Sequence, residues 1–216
     1  MLQEGLDKLH IDIRISEKLT AYISEIEMFN AAYGLVSYKT VDELIVRHIL
    51  DSLSPLHLLM QHNPKQIADA GSGAGLPGIP LAIALPDVQF TLIEKMGRRA
   101  NFLRNCQAVL ALPNVQIAEC EVEKAEQNKL SGKFDIVTFR AFRPLDAAMY
   151  KTLSKLLRPS TEADQKGILA AYKGRRQNIE AEMQALETKP LHWQATPCPT
   201  PFLDEERWLV EVEKTG

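Results

Sequence analysis

The chain has 216 residues, 45% of them hydrophobic and 25% charged, with a formal net charge of −3. These proportions are those of an ordinary globular protein, one domain plus a modest extension, and the slight acidity excludes a general attractive field for nucleic acid. No apolar run approaches the roughly 18 residues needed to span a bilayer.

The N-terminus, "MLQEGLDKLHIDIRISEKL", mixes acids into every turn and has no signal-peptide core. Residues 16–33 predict an amphipathic helix, with Leu19, Tyr22, Ile23, Ile26, Phe29 and Tyr33 at three- and four-residue spacing and Ser16 as its cap. Residues 41–60 predict a second helix, with Leu44, Ile45, Ile49, Leu53 and Leu56 apolar, and "HNPK" at 62–65 breaks it. On it Arg47, His48 and Asp51 lie one turn apart, Arg47 and Asp51 as an i,i+4 pair. From residue 66 the pattern alternates. Strands are predicted at 66–70, 88–94, 115–119, 134–139, 168–173 and 208–213, and helices at 77–85, 97–111, 121–129, 144–157 and 175–187. Strands alternating with helices imply a mostly parallel sheet covered on both faces. The last stretch, with Pro197, Pro199 and Pro201 inside it, predicts a closing antiparallel hairpin. The expected fold is α/β and Rossmann-like, residues 66–216, under an N-terminal helical cap, residues 1–65.

Cys106, Cys120 and Cys198 are widely spaced and odd in number, and His10, His57, His62 and His192 show no ligand spacing. No disulfide framework and no metal are expected, and the thiols fit a reducing cytoplasm.

"DAGSGAGLPGIP", residues 69–80, crowds four glycines and two prolines between a strand and a helix. In an open α/β sheet ligands bind at the carboxyl ends of the strands, where such a turn offers free N–H groups and a close approach. A phosphate-binding P-loop needs Gly-Lys-Ser/Thr, and none exists. A literal G-x-G-x-x-G does occur, at Gly73, Gly75 and Gly78, but one frame late. The first glycine after the strand is Gly71, and counting from it Leu76 stands where the third fingerprint glycine belongs. The frame that fits is acidic-x-G-x-G-x-G, from Asp69 through Gly71, Gly73 and Gly75, the pattern of S-adenosylmethionine methyltransferases. Glu94, ending the second strand, can take a ribose in either a dinucleotide or an S-adenosylmethionine site. A plain tight turn needs fewer glycines than these.

With these residues in view, the chain resembles the glucose-inhibited division protein B family, which methylates N7 of a guanine in small-subunit (16S) ribosomal RNA. The resemblance rests on "VRHILDSL" (46–53), "DAGSGAGLPGIPLAIA" (69–84), "FTLIEKMGRRANFLR" (90–104), "FDIVTFRAF" (134–142), "AYKG" (171–174) and "ERWLVEV" (206–212). It implies a cofactor site for S-adenosylmethionine at Asp69, Gly71, Gly73, Gly75 and Leu76, with Glu94 on the ribose, Val122 and Glu123 beside the adenine, and Arg140 at the cofactor and reaction centre. Arg140 and Lys173 are the candidate catalytic residues. Arg47, His48, Lys173, Arg175, Arg176 and Arg207 are candidates for RNA contact, whereas Arg98, Arg99 and Arg104 read as a solvated helix face. The expected partner is small-subunit ribosomal RNA, free or assembled, met by a monomer. Two positions depart from the family: Gly34 stands where an asparagine is usual, and Glu121 where an arginine precedes Val-Glu. The family uses both replaced side chains near its active site. The departures keep open a cofactor-binding ribosome-associated module with weak or lost transfer; a methyltransferase acting on another substrate is a further alternative.

Overall fold

The computed structural model describes residues 1–141, 145–159, 166–186 and 191–214. Helix α1 (Leu2–Lys8), which the sequence reading missed, leads into α2 (Ser16–Tyr33). Helices α3 (Val41–Leu44), α4 (Asp51–Leu53) and α5 (Leu56–Met60) follow, with a π-helical stretch, Ile45–Leu50, between the first two. The single helix expected at 41–60 is therefore interrupted. The remainder alternates: β1 (Gln66–Ala70), α6 (Gly78–Ala84), β2 (Gln89–Ile93), α7 (Gly97–Val109), β3 (Val115–Ala118), β4 (Ile136–Arg140), α8 (Ala147–Ser154), β5 (Ile168–Lys173), α9 (Arg176–Leu186), β6 (Trp193–Pro197) and β7 (Trp208–Glu213). The expected helix at 121–129 is only a 3₁₀ turn, Val122–Lys124. Its stretch offers Val122 and Ala125 alone for burial, too little apolar face to carry a helix across it, and Lys129 turns left-handed (φ 57°). Residues 144 and 187, at the edges of two predicted helices, lie outside the described residues.

One seven-stranded sheet runs in the order β3-β2-β1-β4-β5-β7-β6. Neighbours from β3 through β5 are parallel. Strands β6 and β7 form the antiparallel hairpin, and β7 joins it to β5. Pro197 ends β6, while Pro199 and Pro201 lie in the connection. Strands β1 and β4 are buried along almost their whole length, as expected of central strands covered on both faces. One face packs against α8 and α9 through Val137, Phe139, Leu169, Ile179 and Met183. The other joins Ile67, Ile79, Phe90 and Phe102 to Leu6, Leu19, Tyr22, Ile26, Leu44 and Ile49 of the N-terminal helices in one apolar cluster. The Tyr22 hydroxyl, fully buried, donates to the Ala74 carbonyl at 2.6 Å, tying α2 to the loop after β1. Among the described residues no helix is long and apolar enough to cross a membrane.

Asn114, 4% exposed, holds the descent from α6 into β2. Its Nδ2 donates to the carbonyls of Ala82, Leu85 and Val88 at 3.0–3.2 Å. Asn114→Ala leaves those carbonyls without their shared donor, so denaturant titration should show a loss of about 2 kcal/mol.

Candidate active site

The carboxyl end of β1 is a turn built on positive φ: Gly71 at 70°, Gly73 at 58° and Gly75 at 91°. The glycines differ in purpose. A Cβ on Gly75 would meet Ile79 Cδ1 at 2.6 Å, and one on Gly78 would meet Leu92 Cδ2 at 2.3 Å. Gly75 leaves no room because Ile79 of α6 and Leu103 of α7 press on it, and Gly78 because α6 starts against Leu92 and Asp69 of the strands. A Cβ on Gly73 would meet nothing nearer than the Gly71 carbonyl at 3.9 Å. Gly73 therefore presents bare backbone to open space. The expectation of free amides is corrected by the structure. Gly71 and Ser72 N–H both donate to the Ile93 carbonyl, and Gly75 and Leu76 N–H donate to the Ser72 carbonyl. A turn this tight satisfies its own donors, so the glycines offer closeness of approach rather than a nest of free N–H groups. Leu76 is buried.

Asp69 lies beneath the turn, 1% exposed. Its Oδ2 accepts the Gly78 N–H at 3.1 Å and its Oδ1 the Thr138 hydroxyl at 3.3 Å. It braces the turn from within and does not face outward. Burial pushes its pKa up to about 6, against the pull of the Gly78 N–H, Ser72, Arg140 and Thr138. Glu94, 5% exposed at the end of β2, accepts the Gly73 N–H on Oε2 at 2.9 Å and the Met96 N–H on Oε1 at 2.8 Å. Each carboxylate oxygen has lone-pair capacity for a second donor. An open glycine backbone beside a fixed, half-used carboxylate at adjacent strand ends fits the sugar and chain of S-adenosylmethionine. On the far side of β2, Val122 is buried and Glu123 exposed in the 3₁₀ turn after β3.

A second group lies across the switch point, at the ends of β4, β5 and β7. A cavity of about 1020 Å³ opens there, and Arg140, Lys173, Arg175 and Arg207 line it. The glycine turn and Glu94 do not. Arg140, on the strand next to β1, stands between the two groups. Asp51 organises the second. Buried at 6% exposure, it accepts Arg140 Nη1 on Oδ2 at 2.8 Å and Arg207 Nε on Oδ1 at 2.7 Å. The expected Arg47–Asp51 pair does not form. Arg47 binds Glu205 at 2.5 Å and Glu43 at 3.4 Å instead, because the π-helical stretch between them shifts the register from i+4 toward i+5.

His48 Nε2 lies 3.1 Å from the Ser37 carbonyl, and burial holds its pKa below the usual histidine value. Lys173 pairs with Glu182 at 2.7 Å. Arg176 pairs with Glu180 at 3.2 Å and stacks over the Trp208 ring at 4.8 Å. Arg175 is exposed at the rim. Gly34 caps α2 in the left-handed region (φ 59°), with nothing within 4 Å of where a Cβ would stand. Glycine and asparagine are the two residues that habitually take this conformation, so the departure there preserves the backbone. Glu121 pairs with Lys124 at 2.9 Å. Among the described residues no group of three His, Cys, Asp or Glu is placed to hold a metal. Asp51 and Glu182 are the residues whose importance the sequence concealed, since their partners lie 89 and 9 positions away.

Two consequences are measurable. A carboxyl whose folded pKa is raised from 3.8 to about 6 stabilises the fold below pH 4, and that contribution fades as pH rises through 6. Stability should fall by on the order of 2–3 kcal/mol across pH 4–7 relative to Asp69→Asn, compared by urea titration at each pH. Asp51→Ala leaves two partly buried guanidinium groups without their shared anion, and should cost about 3–5 kcal/mol in the same assay.

The family described as GidB, rRNA small subunit methyltransferase G, matches residues 15–209. A ribosomal RNA small subunit methyltransferase G of Treponema denticola is 40% identical, covering 99% of this chain and 94% of its own. One from Stenotrophomonas maltophilia is 35% identical, covering 98% and 92%. Among solved structures, an O-methyltransferase from Bacillus cereus in complex with SAH aligns with a TM-score of 0.64 at 18% identity, over 90% of this chain and 91% of its own. Cofactor-bound Rv0187 from MTB aligns with a TM-score of 0.63 at 13% identity, over 93% and 91%. These two carry the fold, a Rossmann-like methyltransferase sheet. The family match spans the glycine turn, Glu94, Asp51 and the cavity alike, and the chain belongs to the GidB family of rRNA small subunit methyltransferases G.

Proposed function

We propose that this protein transfers the methyl group of S-adenosylmethionine to N7 of a guanine in small-subunit ribosomal RNA. The observation that carries the reading is Glu94, clamped at the end of β2 by the Gly73 and Met96 N–H groups, beside a glycine turn whose outer side is open. When bound, the cofactor supplies an electrophilic methyl group on a sulfonium. The chain's own part is to hold and orient. Glu94 accepts the ribose hydroxyls on its remaining lone pairs. Gly71 and Gly73 let the backbone approach, and Val122 and Glu123 flank the adenine. Arg140 holds its place between cofactor and target through Asp51.

N7 of guanine carries an in-plane lone pair and loses no proton on attack. No general base is needed, and rate comes from alignment. The base enters the cavity at the ends of β4 and β5 unstacked, as base-modifying enzymes require. Arg47, Arg175, Arg176 and Arg207 contact the RNA backbone, with Lys173 deeper. His48, its pKa lowered by burial, serves as a hydrogen-bonding group rather than a cation at neutral pH. Residues 1–65 act as a cap on the methyltransferase domain of residues 66–216, and the protein works in the cytoplasm as a monomer.

The test is incubation with labelled S-adenosylmethionine and undermethylated small subunits or naked RNA, then digestion to nucleosides. Labelled 7-methylguanosine is expected. Cofactor binding without transfer overturns the enzymatic reading, and label elsewhere overturns the substrate. Glu94→Gln turns one acceptor into a donor facing an N–H group. Calorimetric titration should show S-adenosylmethionine affinity reduced about tenfold or more, the worth of a lost charge-assisted hydrogen bond.

A further inference from the structure

The cavity at the ends of β4, β5 and β7 is lined by three carboxylates among the described residues, Asp51, Asp146 and Glu182. Two are spent. Asp51 has Arg207 on one oxygen and Arg140 on the other. Asp146 is exposed and its Oδ1 caps α8 on the Met149 N–H. Glu182 is different. Helix α9 turns Asn178, Ala181, Glu182 and Ala185 toward the cavity, and the Glu182 side chain is 17% exposed. Its Oε1 accepts both Lys173 Nζ, at 2.7 Å, and the Leu145 N–H. Its Oε2 carries no hydrogen bond among the described residues. Lys173, 18% exposed, spends one of its three N–H donors on Glu182 and keeps the others. The pair thus offers the cavity a fixed acceptor beside a fixed donor.

We infer that the Glu182–Lys173 pair is the guanine reader, with Glu182 Oε2 accepting the exocyclic N2–H and Lys173 Nζ donating to O6. This rests on the methyl-transfer reading above and names what selects its base. Guanine presents a donor at N2, a donor at N1 and an acceptor at O6 along one edge. Adenine has only a C–H at position 2 and a donor at N6, so the contact to Glu182 is lost and the one to Lys173 is inverted. The order of elements supports the orientation. Moving from α9 to β5, to β4, to β1, the structure passes Glu182, Lys173, Arg140 and the glycine turn. Moving around guanine from N2, one passes O6 and then N7. A base docked by its N2 edge on Glu182 and its O6 on Lys173 turns N7 toward Arg140 and the open side of Gly73. Glu182 selects and orients the base and takes no proton.

The test pairs a change in the enzyme with a change in the base. An RNA spanning the mapped methylation site is made with guanine or with inosine, which lacks only the N2 amine. With the wild-type protein, inosine should lower kcat/KM about tenfold or more, the worth of a hydrogen bond to a charged group. Glu182→Ala should lower kcat/KM for guanine by a similar factor, and inosine should then cost nothing further. In Glu182→Gln the amide oxygen is drawn to Lys173 and the Leu145 N–H, leaving the NH₂ toward the cavity. This variant should remove the preference too, and it stands in for Glu182→Ala if that protein does not fold. Competition binding of the two RNAs makes the same comparison without turnover. An undiminished inosine penalty in the variants overturns the inference, as does a wild-type enzyme indifferent to inosine. Absence of 7-methylguanosine from the wild-type protein and the guanine RNA overturns the methyl-transfer reading, and this inference with it.

Discussion

Asp51 is the point on which the site depends. It stands on a short helix of the N-terminal segment and takes a guanidinium from the end of β4 on one oxygen and another from the start of β7 on the other. Three stretches of chain far apart in sequence are thereby fixed to a single carboxylate. A buried ion pair of this kind contributes little net stability compared with an apolar isostere. Its value is positional. The two arginines line the cavity in defined orientations, and the N-terminal helices cannot shift over the sheet without breaking both pairs. The contact from Tyr22 to the Ala74 carbonyl and that from the Tyr172 hydroxyl to the Ser52 carbonyl, at 2.9 Å, secure the same seam on either side.

The glycine turn shows a second economy. Of the glycines between Gly71 and Gly78, Gly75 and Gly78 are required by packing against Ile79, Leu92 and Asp69. Gly73 is required by its left-handed backbone and leaves its outer side clear. Because the turn consumes most of its own N–H groups, it cannot act as an anion nest of the kind that binds a pyrophosphate. What it presents is shape. A ligand bearing a sugar and a cationic sulfonium asks for a carboxylate and close contact, which Glu94 and the bare backbone provide. The choice between a dinucleotide and S-adenosylmethionine, made in the sequence by counting glycines from the strand end, has here a physical basis in where the amides point.

The alternation of short apolar runs with amphipathic segments made the sheet and most of its helices legible, because each central strand must be apolar on both faces and each helix on one. Strands 66–70, 168–173 and 208–213 appear with the bounds their residues predicted. What the sequence hid was whatever depends on phase or on distant partners. The π-helical stretch at Ile45–Leu50 leaves no mark in residue type, yet it lies between Arg47 and Asp51, whose partners are Glu43 and Glu205 for the one and Arg140 and Arg207 for the other. The stretch after β3 has charged residues at helical spacing, but too few apolar ones to hold a helix to the sheet. Helix α1 is short, and its Leu6 is buried in a cluster with α2 and residues 44–50, a packing its own sequence does not announce. Gly34 looked like the loss of a functional side chain, but its left-handed backbone shows that position 34 first serves to end α2.

Four of the cations expected to meet RNA are, in this structure, engaged by carboxylates. Arg47 has Glu43 and Glu205, Arg176 has Glu180, Lys173 has Glu182, and Arg207 shares Asp51. This agrees with a chain of net charge −3 and separates the pairs into two kinds. Arg47 and Arg176 are half-exposed, and a phosphate can displace their partners at small cost, since exposed ion pairs hold by about 1 kcal/mol or less. Lys173, Arg140 and Arg207 are more deeply set, and their carboxylates stay with them. Under the proposed function the outer pairs would trade glutamate for phosphate and set affinity in a salt-dependent way. Under the proposed function the inner pairs would keep their geometry when RNA binds, which is the condition for reading a base rather than attracting a polymer. A surface carrying a general positive field would bind RNA more tightly, but it would not distinguish one nucleotide from its neighbours.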